Sequence, residues 1–181
     1  MNKTLSIPIF VVFACLFITA CIKDTDFDQA EDIALTPVVE LDLIYFNLRA
    51  SDFFDTITSN QILTVRDTTE IKFLDDSGLQ ESLKRAEFYF KFTNSIARDF
   101  QVDFQFLSEL NDTTYVTQTI VNQGAITTPV ITEFVQNVEG DDILQLTKAN
   151  KVVVSVTIPS SDENLEGILN LKSKTTYFLE Y

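Results

Sequence analysis

Twenty-seven acidic side chains, two cysteines and no histidine set the chemistry open to this 181-residue chain. Three adjacent acid pairs stand out: Asp75-Asp76, Asp141-Asp142 and Asp162-Glu163. Two carboxylates held about 5 to 9.5 Å apart can hydrolyse a glycosidic bond, one protonating the leaving oxygen while the other attacks or activates water. The same oxygens can hold a divalent cation. All three pairs lie among turn-forming residues, where acids serve the backbone without any further role. The sequence therefore assigns no catalytic residue, no metal site and no cofactor, and it favours a binding or structural role over an enzymatic one. Without imidazole, a Ser-His-Asp triad and histidine zinc sites are excluded, and two cysteines are too few for a cysteine cage. Phosphate-cradling glycine loops of the GxGxxG or GxxxxGK kind are absent. A net charge of −14 argues against nucleic acid as a partner, since a phosphate backbone needs a basic footprint. Lys84-Arg85 and the Lys172/Lys174 pair are too small to supply one.

Two further sets of residues carry possible recognition chemistry. Tyr89, Tyr115, Tyr177 and Tyr181 would form a sugar-stacking or protein-binding face if they shared one side of the fold; half-buried sheet positions are the simpler expectation. Arg66-Asp67 and Arg98-Asp99 are read as exposed ion pairs of small energetic weight.

The remaining chemistry is at the N-terminus. Lys3 is followed by the apolar run 5–20, which is shorter than the roughly 20 residues a membrane helix requires and has the layout of a signal peptide. Ile18-Thr19-Ala20-Cys21 follows at its end. This motif resembles the lipobox of bacterial lipoproteins, and the resemblance implies that residues 1–20 are removed and that Cys21 becomes an acylated first residue. Two or three acyl chains make a durable anchor, at about 0.8 kcal/mol per buried CH2, where one holds only marginally. Cys15 leaves with the signal, so no intramolecular disulfide would remain and the body must be held by its core.

After Cys21 come Lys23, Asp24, Asp26 and Asp28 in a stretch with five acids between 23 and 32 and a single large apolar residue, Phe27. Such a stretch cannot bury enough surface to offset its ordering entropy, so 21–34 is expected to be an extended tether. The acidic run also resembles the export tag of Bacteroidota lipoproteins that reach the outer face of the outer membrane, which implies a lipid-anchored, surface-exposed protein. A solvated spacer is the alternative reading. Asp24, Asp26 and Asp28 imitate the start of a calcium loop, but Gln29 stands where that loop needs glycine, and no calcium site is assigned.

Residues 35–181 are expected to form one domain, and most of them alternate with period two. Phe88, Phe90 and Phe92 share one face of a strand, and Phe100, Val102, Phe104 and Phe106 share one face of the next. In the run 115–121 either face is a possible core side, with Val116 and Ile120 the expected core residues and Gly124 supplying a positive φ in the turn that follows. Val39, Leu41, Leu43 and Tyr45 alternate before Phe46 and Leu48 continue in the opposite phase, which calls for a bulge near Ile44 or Phe46. Strands are also expected over 61–65, 71–74, 152–158, 169–171 and 175–181, and short helices over 79–86 and 141–149. The 21 threonines and 16 phenylalanines suit a pleated, half-buried surface.

Seven to nine such strands without long helical crossovers predict an all-β fold: a two-sheet antiparallel sandwich, immunoglobulin-like in architecture only, with one or two short helices. A small barrel is the alternative. The lipoprotein motifs cover roughly the first 32 residues, and residues 35–181 resemble an uncharacterised Bacteroidota β-sandwich lipoprotein, which implies no residue roles in the body. The expected function is a lipid-anchored envelope surface protein that meets the membrane through its N-terminal lipid and binds an envelope protein or a glycan. A glycan hydrolase with paired carboxylates and a fimbria-like subunit assembling through edge strands are the alternatives.

Overall fold

Rings that recur every second residue on a strand cannot remain in water, and this chain buries them by laying two such strands across one core. The computed structural model describes residues 34–181. Its strands are β1 (Val38–Arg49), β2 (Phe54–Asp55), β3 (Asn60–Gln61), β4 (Thr64–Glu70), β5 (Leu83–Asn94), β6 (Phe100–Leu107), β7 (Thr113–Val121), β8 (Val130–Glu139), β9 (Lys151–Thr157) and β10 (Ile168–Leu179). Two short helices, α1 (Ser77–Ser82) and α2 (Asp141–Leu146), complete it.

Eight long strands form two antiparallel four-stranded sheets, the first in the order β1-β10-β5-β8 and the second in the order β4-β9-β6-β7. This is the expected two-sheet sandwich with two small helices. Among the eight, only β6 and β7 are both consecutive and hydrogen-bonded neighbours; every other connection passes from one sheet to the other. That connectivity is the jelly roll, which shares the sandwich architecture of immunoglobulin domains and differs in strand order.

The core is where the two Phe-rich strands meet. Phe90 stacks on Phe104 with ring centroids 4.0 Å apart, and Phe88 meets Phe106 at 5.0 Å. β5 and β6 are thus neighbours through their rings, from opposite sheets. Val152, Val154, Val156, Leu169 and Leu171 are buried as their alternation predicts. Each fully buried ring or branched chain contributes roughly 1.5–3 kcal/mol relative to exposure.

Asn94 stitches one end of the sandwich. Its buried amide donates to the carbonyls of Arg98 and Asn122, each at 2.9 Å, and its Oδ1 accepts from Ile96 N–H at 2.8 Å. Gly124 packs onto this knot so closely that a Cβ would lie 1.9 Å from the Asn94 carbonyl oxygen. The expected reason for that glycine is therefore corrected: positive φ occurs at Gly140 and Gly167, while Gly124 is needed for backbone approach.

Four further expectations are corrected. Val116 and Ile120 are 60% and 66% exposed. The register pairs Tyr115, Thr117, Thr119 and Val121 with Phe106, Phe104, Val102 and Phe100, and directly opposed residues share a face, so those four turn inward. Residues 71–74 form no strand: β4 ends at Glu70 and a 3-10 turn over Lys72–Asp75 buries Ile71 and Leu74, three residues apart, beneath one end of the core. The helix expected over 79–86 runs instead from Ser77 to Ser82, capped by Asp76, whose carboxylate accepts from Leu79 N–H at 3.0 Å. It stops because Leu83 begins a ladder with Leu179 on β10. Finally, β8 has no counterpart among the expected strands, and β10 is one strand where two were expected.

Candidate functional site

Cys21, Lys23, Asp24, Asp26 and Asp28, together with the signal and tether boundaries, lie outside the described residues. The acid pairs inside the body have local work. Asp76 caps α1, Asp141 and Asp142 occupy the first turn of α2, and Asp162 accepts from Asn164 N–H at 2.9 Å. Asp55 has its carboxyl held below the usual carboxylate range by hydrogen bonds from the Thr58 hydroxyl and the backbone N–H groups of Ile57 and Thr58, the signature of a tight turn between β2 and β3. Among the described residues, no group of three or more acids or cysteines comes together as a metal site would require.

Arg98 reaches across loops, 3.6 Å from Asp162 and 3.3 Å from the Ser160 hydroxyl, while Asp99 accepts from Gln123 N–H at 2.6 Å. Arg66 and Asp67 flank an apolar slot between β1 and β4, lined also by Phe46, Leu48, Val65 and Val154. Asp67 lies opposite buried Val154 and so shares the core-facing side of an edge strand; inward charge there discourages pairing with another chain.

The four tyrosines do not share a face. Tyr177 is in the core, stacked on Phe73 at 4.4 Å, and burial pushes its phenol up to about 12. Tyr115 is half-buried on the inner side of β7, its phenol raised by burial and by the Asp142 charge. Tyr181 is exposed at the C-terminal end. Tyr89 alone lies on the outer face of the first sheet, its phenol raised chiefly by the Glu133 carboxylate beside it.

The aromatic that matters on that outer face is Tyr45, 78% exposed. Before it, β1 and β10 run in register to Asp42–Lys174; after it they resume at Tyr45–Lys172. Leu43 and Ile44 together oppose the single residue Ser173, which makes a β-bulge at the place where the sequence changes phase. The Ser173 hydroxyl replaces the missing ladder partner: it accepts from Ile44 N–H at 3.0 Å and donates to the Ile44 carbonyl at 2.6 Å. Both Leu43 and Ile44 thereby face inward, and the next ring, Tyr45, is turned outward.

Tyr45 borders a shallow depression of about 280 Å3 lined by Asp42, Asn47, Asn170, Lys172 and Ser173. Asn170 Nδ2 donates to Asn47 Oδ1 at 2.9 Å and to the Phe46 carbonyl at 3.3 Å. Lys172 has Tyr45 directly opposite on one side and Lys91 directly opposite on the other. Lys91 pairs with Glu133 at 3.5 Å and Lys174 with Glu40 at 2.6 Å, whereas Lys172 makes no ion pair among the described residues. An exposed ring edged by amides, a carboxylate and an unmatched ammonium can hold a flat, polar-rimmed ligand. The sequence signal for Tyr45 is the phase change at Phe46; its outward direction depends on the bond between Ile44 and Ser173, which are 129 positions apart.

Among the described residues no helix is long and apolar enough to cross a membrane. No family model and no curated protein matches the chain. Among solved structures it is similar to a protein of Parabacteroides distasonis described as secreted, with 13% identity over 63% of this chain and 37% of that one and a TM-score of 0.47. It is also similar to the infectious bursal virus protein of T=1 particles, with 8% identity over 80% of this chain and 32% of that one and a TM-score of 0.49. A third similarity is to the enzymatically active domain of bacteriophage CBA120 tailspike protein 4, with 10% identity over 76% and 19% and a TM-score of 0.39. The chain thus spans well under half the length of each of these structures.

Proposed function

We propose that this chain is a lipid-anchored protein of the outer membrane, exposed at the cell surface, whose β body binds a ligand and performs no catalysis. The observation that carries the reading is Ile18-Thr19-Ala20-Cys21 at the end of a short apolar run, followed by the acids at 24, 26 and 28. It is supported by the local turn and cap roles of the body's acid pairs and by an outer sheet face that carries polar groups without internal partners. Cys21→Ser tests it: the variant should lose lipid labelling and leave the membrane fraction or accumulate as uncleaved precursor. Unchanged acyl incorporation refutes the anchor. Neutralising Asp24, Asp26 and Asp28 should lower protease accessibility on intact cells without changing folding, and equal accessibility leaves those acids a spacer role only.

One observation favours assembly as a second reading. The edge strand β7 carries no charged residue from Thr113 to Val121, although the chain as a whole is strongly acidic. Uncharged edges are where another strand can add. Gln118→Lys should then dissociate any oligomer formed at high concentration; a monomer at all concentrations removes this reading.

A further inference from the structure

We infer that the depression beside Tyr45 is a binding subsite for an acidic sugar, one hexuronate ring stacking on Tyr45 with its carboxylate on Lys172. The inference deepens the binding reading above by naming a ligand class, and it does not depend on the lipid anchor. Three observations carry it.

The first is that the ring is aimed outward by a built device. The bulge costs β1 two ladder bonds at buried Ile44, and the Ser173 hydroxyl replaces both. An unbulged β1 would continue the alternation of Val39, Leu41 and Leu43 and place Tyr45 on the inner side. Bulges re-aim side chains at functional sites, and here the re-aimed group is a large aromatic left 78% exposed.

The second is the set of polar groups around that ring. Lys172 Nζ, the Asp42 carboxylate, Asn47 Nδ2 and Asn170 Oδ1 make no hydrogen bond among the described residues, and all belong to residues lining the same depression. A sugar presents an apolar C–H face and a rim of hydroxyls. The ring takes the face, and a few fixed donors and acceptors take the rim.

The third is charge. Lys172 and Lys91 stand directly opposite each other on adjacent strands, an arrangement that destabilises a sheet unless an anion lies between or beside them. Glu133 serves Lys91, while Lys172 makes no ion pair among the described residues, Asp42 on the same depression included. In a chain of net charge −14 an unmatched ammonium next to an exposed ring selects a ligand that brings its own carboxylate.

The test is calorimetric titration of the full-length protein, purified in detergent, with tetragalacturonate and with its methyl ester. The ester keeps the sugar skeleton and removes the charge. The acid should bind at least about tenfold tighter than the ester. Tyr45→Ala should weaken both by at least about tenfold, whereas Lys172→Gln should weaken only the acid and erase the preference. Gln105→Ala on the outer face of the second sheet should bind as the parent does. Equal affinity for acid and ester, undiminished binding by Tyr45→Ala, or no binding of either sugar overturns the inference. Lys172→Gln changes an exposed side chain, so it remains informative if Tyr45→Ala does not fold. Cys21→Ser protein should bind tetragalacturonate as the parent does, which separates failure of the anchor from failure of the subsite.

Discussion

The two sheets present nearly interchangeable inner faces and quite different outer ones. Inside, Phe88 and Phe90 from the first sheet meet Phe106 and Phe104 from the second, and dense apolar packing is built from either side. Outside, several polar groups of the second sheet bond one another, although the Arg66 guanidinium makes no ion pair among the described residues. Thr64 and Thr157 hydroxyls meet at 3.0 Å across β4 and β9, and Gln101 Nε2 donates to Asp103 Oδ1 at 3.0 Å. On the first sheet, the region around Tyr45 leaves an ammonium, a carboxylate and parts of two amides without an internal partner. Polar groups that already bond one another offer a ligand only an exchange of partners, whereas unmatched groups around an exposed ring offer net contacts. The outer faces therefore differ in the exposed ring of Tyr45 beside its unmatched groups, and the inner faces are alike in their packing.

That comparison can be tested at several strengths. The largest effects belong to the inner faces: Phe90→Ala and Phe104→Ala should each cost about 3–5 kcal/mol in denaturant unfolding. The rings are in contact, so the double variant should depart from the sum by roughly 0.5–3 kcal/mol. A much smaller cost on one side would break the inner symmetry of the sheets. Next comes a pH effect that is largest in the first sheet. Burial raises the folded-state Tyr177 phenol to about 12, against about 10 for an unfolded tyrosine. The unfolded chain therefore ionises first, so stability is fully present below pH 10 and falls by up to about 3 kcal/mol as pH rises toward 12. Tyr177→Phe should flatten that part of the profile while leaving the lysine contribution in place.

Smaller again is the difference between two serines. Ser173→Ala removes both partners of the buried Ile44 backbone and should cost about 1–3 kcal/mol, whereas Ser155→Ala, on the outer face of β9, should stay within about 0.5 kcal/mol. Equal effects would mean that the bulge is not held by Ser173. Smallest is the effect of Tyr45→Ala on stability, expected within about 0.5 kcal/mol because the ring is mostly exposed. A large loss there would show Tyr45 to be a packing residue and would remove the contrast between the outer faces.

Period-two alternation was readable wherever one face of a strand is wholly apolar. Phe88 to Phe92, Phe100 to Phe106 and Val152 to Ile158 are buried on the side their pattern indicates. The pattern failed at the sheet margins. β8 was invisible because Ile131 and Val135 are exposed on one face while Val130, Phe134 and Val138 turn inward, so apolar residues fall on both phases. On β7 the pattern points to the outer face because threonines turn inward there, opposite Phe104 and Val102 of β6. A margin strand covers only part of the core, and its face is imposed by its partner's register. Of the candidate site, Lys172 and Lys174 were visible only as a nearby basic pair, and Tyr45 only as a member of a strand whose phase breaks.

Local sequence alone determined the fold class of this protein, because its strands carry rings that need a second sheet. That is a property of residues within a few positions of one another, and side-chain periodicity expresses it directly. Tertiary structure decided the order of strands, the inward face of β7 and the outward turn of Tyr45. Two of these depend on a partner far away in the chain, β10 for β1 and one hydroxyl at Ser173 for a bulge at Ile44, while the face of β7 is set by the register of its hairpin partner β6. Backbone hydrogen bonds must be satisfied by whatever the fold brings alongside, and no local pattern specifies which segment that will be.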